Sequence, residues 1–306
     1  MTALLGTIAL LATCAWLAGI VWFLRFYRAP AVEVPGRVTL LLAVTGRTNG
    51  LPPLFAALAR QTLRPRRMLV AVESVEDPAL AQVRELEHLL PFPVEVVVAG
   101  FDDTRSQKAT NMIAALARVD ADDDALVLLD ADILPRETWL SWLATPALNG
   151  AADVVTGYRW HALDGAGPGR HVVAWLDRSL ALGPRFLASG LVWGGSVAIA
   201  RDALARMDLA GALSRTFSTD GAISRRARAL RLRVLTRRAV LLPTPPEGGD
   251  REAIAFKTRQ LQIVHVYVPA LWVWLGVALH AEALALPLAL LALAAGAVAV
   301  VFVAAI

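Results

Sequence analysis

The run Ala125-Leu126-Val127-Leu128-Leu129-Asp130-Ala131-Asp132 decides the reading of this chain. Five consecutive apolar residues are the length of one strand, and a parallel strand covered on both faces reads as such a run rather than as alternation. The two aspartates follow at once, where that strand would leave a sheet. Ligands of open α/β sheets bind outside the carboxyl ends of the strands. Carboxylates two residues apart on extended backbone lie on one side and can face one ion. Hard divalent cations such as Mg²⁺ or Mn²⁺ take carboxylate oxygens and share their shell with substrate phosphates. A bare Asp-x-Asp is common by chance, and its plain alternative is a turn in which Asp132 caps the next helix.

Outward from this run the chain alternates. Residues 38–44, 68–72 and 94–98 read as further strands; residues 51–61, 79–90 and 107–119 read as helices. A β-α-β-α order predicts a mostly parallel, Rossmann-like sheet with helices on both faces. The second half is less regular, with strands expected at 153–156 and 196–199, helices at 170–182 and 201–207, and a Gly-rich loop at 163–169. Neither a Gly-x-x-x-x-Gly-Lys loop nor a Gly-x-Gly-x-x-Gly turn after a strand is present, so the two commonest α/β nucleotide sites are not indicated.

The 306 residues are 57% hydrophobic, with a mean hydropathy of +0.54, above the roughly 45–50% apolar share of ordinary soluble domains. The excess sits at the ends. Residues 4–24 carry no charge and are long enough to cross a hydrocarbon core of roughly 30 Å. No Lys or Arg precedes the run, and Arg25 and Arg28 follow it, which favours a retained anchor over a cleaved signal. Residues 263–279 and 283–306 are two further membrane candidates, separated by His280, Ala281 and Glu282. The first of these is short and holds Pro269, so a re-entrant segment is the alternative. The expected organisation is an anchor at 1–28, a globular domain at 37–262 and two membrane helices at 263–306. Arg25, Arg28, Arg37, Arg251, Lys257 and Arg259 flank the spans on the side of the central domain, which places that domain in the cytoplasm.

Cys14 is the one cysteine, which excludes an intrachain disulfide and a cysteine metal site. The net charge of +4 suits anionic lipid or an anionic substrate. No nucleic-acid reader module is present, so no nucleic acid polymer is expected as partner. Seven arginines between Arg225 and Arg238 form a basic stretch, read either as a lipid-headgroup contact or as a solvated face.

Several residues could serve a site at the rim. Glu73 ends the second strand and, with Glu76 and Asp77, is read either as a contact to base or ribose or as a solvated loop. Lys108 and Asn111 open the third helix, where charge and dipole both attract a diphosphate. Asp220 is either an N-cap or a general base toward an attacking hydroxyl.

Taken together these residues resemble glycosyltransferase family 2, with its GT-A fold, and in particular its ceramide glucosyltransferase branch. Glu76-Asp77-Pro78-Ala79 resembles the family's acidic segment, and Lys108-Ala109-Thr110-Asn111 its Lys-x-x-Asn helix opening. Leu129-Asp130-Ala131-Asp132-Ile133 resembles the metal and donor motif, Ser189-Gly190 through Gly194-Gly195-Ser196 the acceptor-side segment, and Thr219-Asp220 the pair that carries the base. The closing Arg-Trp motif is replaced by Gln262-Ile263, with Arg259 and Gln260 left to take part of its role. The resemblance implies a membrane-bound inverting transferase. It would move sugar from a UDP-sugar, with UDP-glucose as the example, to a ceramide-like lipid hydroxyl. Asp130 and Asp132 would hold Mg²⁺ or Mn²⁺. Glu73, Lys108, Asn111, Asp130, Arg259 and Gln260 would bind the donor, and Asp220 would act as base. Polyprenyl phosphate, diacylglycerol or a polysaccharide as acceptor, and a silent scaffold protein, are the competing expectations.

Overall fold

The computed structural model describes residues 33–161, 163, 166–182, 191–244 and 248–270, with residues 14, 17, 18, 21, 272, 273, 276 and 277. The first half alternates as expected: β1 Val38–Ala43, α1 Leu51–Leu58, β2 Arg67–Val72, α2 Pro78–Leu86, β3 Val94–Val98, α3 Gln107–Leu116 and β4 Ala125–Leu129. The second half holds α4 Trp139–Leu148, β5 Val154–His161, α5 Pro168–Leu182, β6 Ser196–Ala200, α6 Arg201–Met207, α7 Leu209–Leu213, α8 Thr219–Ala229, β7 Val234–Thr244 and α9 Asp250–Tyr267. The strands form one seven-stranded sheet in the order β3-β2-β1-β4-β6-β5-β7. The first four are mutually parallel, β6 runs antiparallel to β4 and β5, and β5 pairs parallel with β7.

Strand parity explains the two cores. Leu40, Leu42, Val127 and Leu129 face one layer, which α1, α2 and α4 cover; Leu41, Leu126 and Leu128 face the other, covered by α3, α6, α7 and α8. Both faces are therefore apolar, which is why these strands read as continuous runs. Helix α4 escapes a periodicity reading because eight of its ten residues are buried, so it has no polar stripe.

The basic stretch spans two elements. Helix α8 ends at Ala229, Arg231 turns at φ +51°, and β7 begins at Val234. Arg226 donates from Nε to the Met207 carbonyl at 2.6 Å, Arg233 pairs with Asp153, and Arg225 stacks on the Tyr267 ring. These three arginines hold the fold, so they are partnered within the protein.

Helix α9 crosses the boundary expected at residue 262 and packs on α5 and α8. Near its end, Tyr267 Oη lies 3.0 Å from Thr216 Oγ1 and accepts from Phe217 N at 3.2 Å. At its start, Asp250 accepts from Gly169 N and Arg170 N and so caps α5. Between these points Lys257 of α9 donates to Asp177 of α5, which also takes His161 Nε2 at 2.6 Å and Tyr158 Oη at 3.3 Å. Among the described residues no helix is long and apolar enough to cross a membrane. The expected spans at 4–24 and 283–306 lie outside the described residues, apart from Cys14, Leu17, Ala18 and Val21. Of the expected span at 263–279, the part to Tyr267 belongs to α9.

Candidate active site

Leu129 faces the α1, α2 and α4 layer, so strand parity turns Asp130 toward the α3 and α8 layer, and Asp132 follows in the turn after the strand. Lys108 from the first turn of α3 makes an ion pair with Asp130 Oδ1. Burial opposes the lysine's charge, but the carboxylates of Asp130, Asp220 and Asp132 outweigh it and raise its pKa above the ordinary lysine value. Three acidic residues from two motifs, Asp130-Ala131-Asp132 and Thr219-Asp220, therefore act on one lysine. Asp132 caps no helix: the next one, α4, begins at Trp139 with Thr138 as its N-cap residue. The N-cap of α8 is Ser218, whose hydroxyl accepts from Gly221 N, so Asp220 is left free of the capping role and stands in the first turn.

The turn before β6 locks this arrangement. Asp130 N donates to the Gly195 carbonyl, and an added Cβ on Gly194 would lie 2.2 Å from Asp220 Oδ1. The same segment is tied to α8 by Val192 N to Ser224 Oγ (2.9 Å), to β5 by Trp193 N to Thr156 Oγ1 (3.0 Å), and to α4 by Trp139 Nε1 to Ser196 Oγ (2.9 Å). Gly50, which precedes α1, lies equally close under the motif, since a Cβ there would meet the Ala131 carbonyl oxygen at 2.2 Å. Of the expected acceptor-side segment, Ser189 and Gly190 lie outside the described residues.

The other expected residues fall differently. Asn111 is fully buried, and its Nδ2 donates to the carbonyls of Val44 (3.1 Å) and Ala71 (3.2 Å) while its Oδ1 accepts from Gln107. It braces the ends of β1 and β2, so a side chain expected among the donor contacts is spent on backbone carbonyls. Asp77 is likewise internal, accepting from Gly46 N, Glu73 N and Ala79 N as the cap of α2. Glu73 itself lies half-buried at the end of β2, on the edge of the sheet where Asp130 ends β4. Arg259 is exposed on α9 with its guanidinium 5.5 Å from the Phe256 ring centroid, and neither it nor Gln260 bonds to the aspartates among the described residues.

The donor set fits a hard cation: carboxylates only, half-buried or exposed, with no His or Cys. Among the described residues no group of three or more His, Cys, Asp or Glu could hold a metal. The protein thus offers Asp130 and Asp132, and the rest of a Mg²⁺ or Mn²⁺ shell would fall to water and substrate phosphate.

Comparison with solved structures places the fold. A mannosyltransferase from Pyrobaculum calidifontis, solved with GDP-Man and Mn²⁺, is 20% identical over 96% of this chain and 87% of its own, with a TM-score of 0.53. The glucosyl-3-phosphoglycerate synthase of Mycobacterium tuberculosis, solved with phosphoglyceric acid, is 14% identical over 76% of this chain and 80% of its own, with a TM-score of 0.47. Comparison with curated proteins returned no match. The sequence profile described as Glycosyl transferase family 21 matches residues 4–306, and the chain belongs to that family of glycosyltransferases.

Proposed function

We propose that this glycosyltransferase moves a sugar from a UDP-sugar, UDP-glucose being the first candidate, to the hydroxyl of a ceramide-like membrane lipid. The observation that carries this reading is the convergence of Asp130, Asp132 and Asp220 on Lys108 at the rim of the sheet. Carboxylates gathered around one lysine do not by themselves attract a diphosphate. Such a site suits a donor that arrives with a divalent cation, the combination found on the mannosyltransferase of the same fold.

In this mechanism Asp130 and Asp132 hold the cation, and Lys108 is released from Asp130 to meet a phosphate oxygen. Bound there, Mg²⁺ or Mn²⁺ offsets the charge that builds on the departing diphosphate. Asp220 takes the proton of the acceptor hydroxyl. The oxygen forms its bond to the anomeric carbon as the carbon–phosphate-oxygen bond breaks on the opposite side, with inversion and release of the nucleoside diphosphate. Glu73, at the end of β2, contacts base or ribose.

The apolar ends support a membrane acceptor. We place the chain in the membrane by residues 4–24 and 263–306, with the catalytic domain in the cytoplasm, on the arginines and lysine beside those runs. The ceramide-like acceptor rests on the motif resemblance.

The test is transfer of label from UDP-glucose, UDP-galactose and GDP-mannose into extractable lipid, using membranes that contain the full chain and Mn²⁺. Lipid-soluble product from a UDP-sugar is expected. Asp220→Asn should lower turnover about 10²–10⁴-fold at unchanged UDP affinity. A wild-type rate in that variant removes Asp220 from the base role, and product from GDP-mannose alone overturns the uridine donor.

A further inference from the structure

Arg159 has no role in the reading above, yet its surroundings are built. Strand β5 runs antiparallel to β6, with Thr156 opposite Val197, and β6 starts opposite Leu129 at the end of β4. Residues 158–161 therefore project past the start of β6, toward the edge of the sheet that carries Asp130. A register shift at Gly157, whose added Cβ would strike the Val240 carbonyl at 2.3 Å, re-aims this strand end. There the Arg159 guanidinium carbon lies 5.4 Å from the Trp193 ring centroid and 4.8 Å from that of Phe256.

Two aromatic rings thus hold a guanidinium in place. Among the described residues no carboxylate pairs with it and no hydrogen bond takes any of its five N–H groups. Asp177 feels its charge but is already bound by Lys257 and His161. Arg259 adds a second cation at the Phe256 ring, again without an acidic partner among the described residues. Trp193 Nε1 is buried with no hydrogen-bond partner among the described residues. Trp193 is the residue before Gly194, the glycine that packs on Asp220.

We propose that Arg159 binds a phosphoryl group at the active site, with Trp193 and Phe256 as the aromatic clamp that orients it. A guanidinium fixed between two rings, with no hydrogen bond taking its N–H groups among the described residues, keeps the paired donors that recognise phosphate oxygens. The two sources of such a group are the diphosphate of the donor and the phosphate of an anionic acceptor headgroup. The assignment of one source rests on the transferase reading, whereas the anion site does not.

Calorimetric titration of the detergent-solubilised full chain separates these. The probes are UDP with Mn²⁺, uridine, and glycerol 3-phosphate as a soluble headgroup mimic. Arg159→Gln should weaken UDP about tenfold to a hundredfold while leaving uridine unchanged. Arg159→Lys, which keeps the charge and loses the paired donors, should fall between. Melting curves of both variants report on folding, and the ratio of UDP to uridine affinity is a readout that lost packing alone would not move. Loss on glycerol 3-phosphate with UDP unaffected assigns the site to the acceptor. Loss on glycerol 3-phosphate in a protein whose wild type ignores UDP supports the anion site and overturns the uridine donor. Wild-type affinity of Arg159→Gln for both phosphate probes overturns the proposal.

Discussion

Two clusters in this molecule pair a lysine with an aspartate, and they differ in balance and in access. Lys257 and Asp177 lie between α9 and α5 with side chains only 5% and 4% exposed, and His161 completes the hydrogen bonding. Lys108 and Asp130 lie at the sheet rim, 36% and 24% exposed, with the carboxylates of Asp132 and Asp220 also acting on the lysine. A closed cluster must be neutralised from within, because an unpaired charge out of water is costly. An open cluster can keep an excess, since solvent or a ligand answers it. The first arrangement fastens helices; the second is the one we propose takes a cation.

Breaking one partner in each cluster should therefore give opposite phenotypes. Lys257→Met leaves Asp177 buried without its lysine and should cost about 3–5 kcal/mol of stability, read from denaturant melts. The folded fraction should keep its donor affinity. Gly194→Ala should act on the other cluster. Its methyl would overlap Asp220 Oδ1, so this proposed base should be displaced by about an ångström and turnover should fall up to about 10²-fold, with UDP affinity and melting unchanged. A variant that loses stability instead would move Gly194 from the catalytic side of the comparison to the structural side.

The pH dependence sharpens the contrast. Burial works against an ionised Asp177, but the hydrogen bond from His161 and the charges of Lys257 and Arg159 prevail and hold its pKa at about 2. A depressed carboxylate contributes stability above its unfolded pKa of roughly 3.9, and that contribution is lost as pH falls through the folded value. Acid unfolding followed by tryptophan fluorescence should show this loss between about pH 4 and pH 2, and Asp177→Asn should flatten it. The smallest effect is expected from Arg84→Gln. That exposed pair with Glu87 touches neither cluster, and the change should leave melting and turnover alone.

The parallel half was legible because burial on both faces writes itself into sequence. The expected strands 94–98 and 125–129 coincide with β3 and β4, and Asp130 follows β4 directly. The second half was less so. Residues 234–244 form the edge strand β7, but its arginines continue the basic pattern of α8 and hide the break at Arg231. The site shows the same split. Lys108, Asp130, Asp132 and Asp220 stand on recognisable motifs, and the structure brings them together. Asn111 stands on one of the same motifs yet serves the backbone of β1 and β2. Arg159 belongs to no motif; the only signal was an arginine between Tyr158 and Trp160 at the end of a strand.

The sequence by itself determined the layers and the position of the rim, because strand parity and apolar runs are local and each is read from one segment. It also determined which carboxylates end a strand or open a helix. Only the tertiary structure decided which charges meet. Lys108 reaches Asp130, and Asp220 acts on Lys108, because α3 and α8 cover the same face of the sheet, and Lys257 finds Asp177 because α9 folds back on α5. Those pairings join residues 22 and 80 positions apart. No local pattern encodes such distances; they follow from sheet order and from the helices that each face can hold.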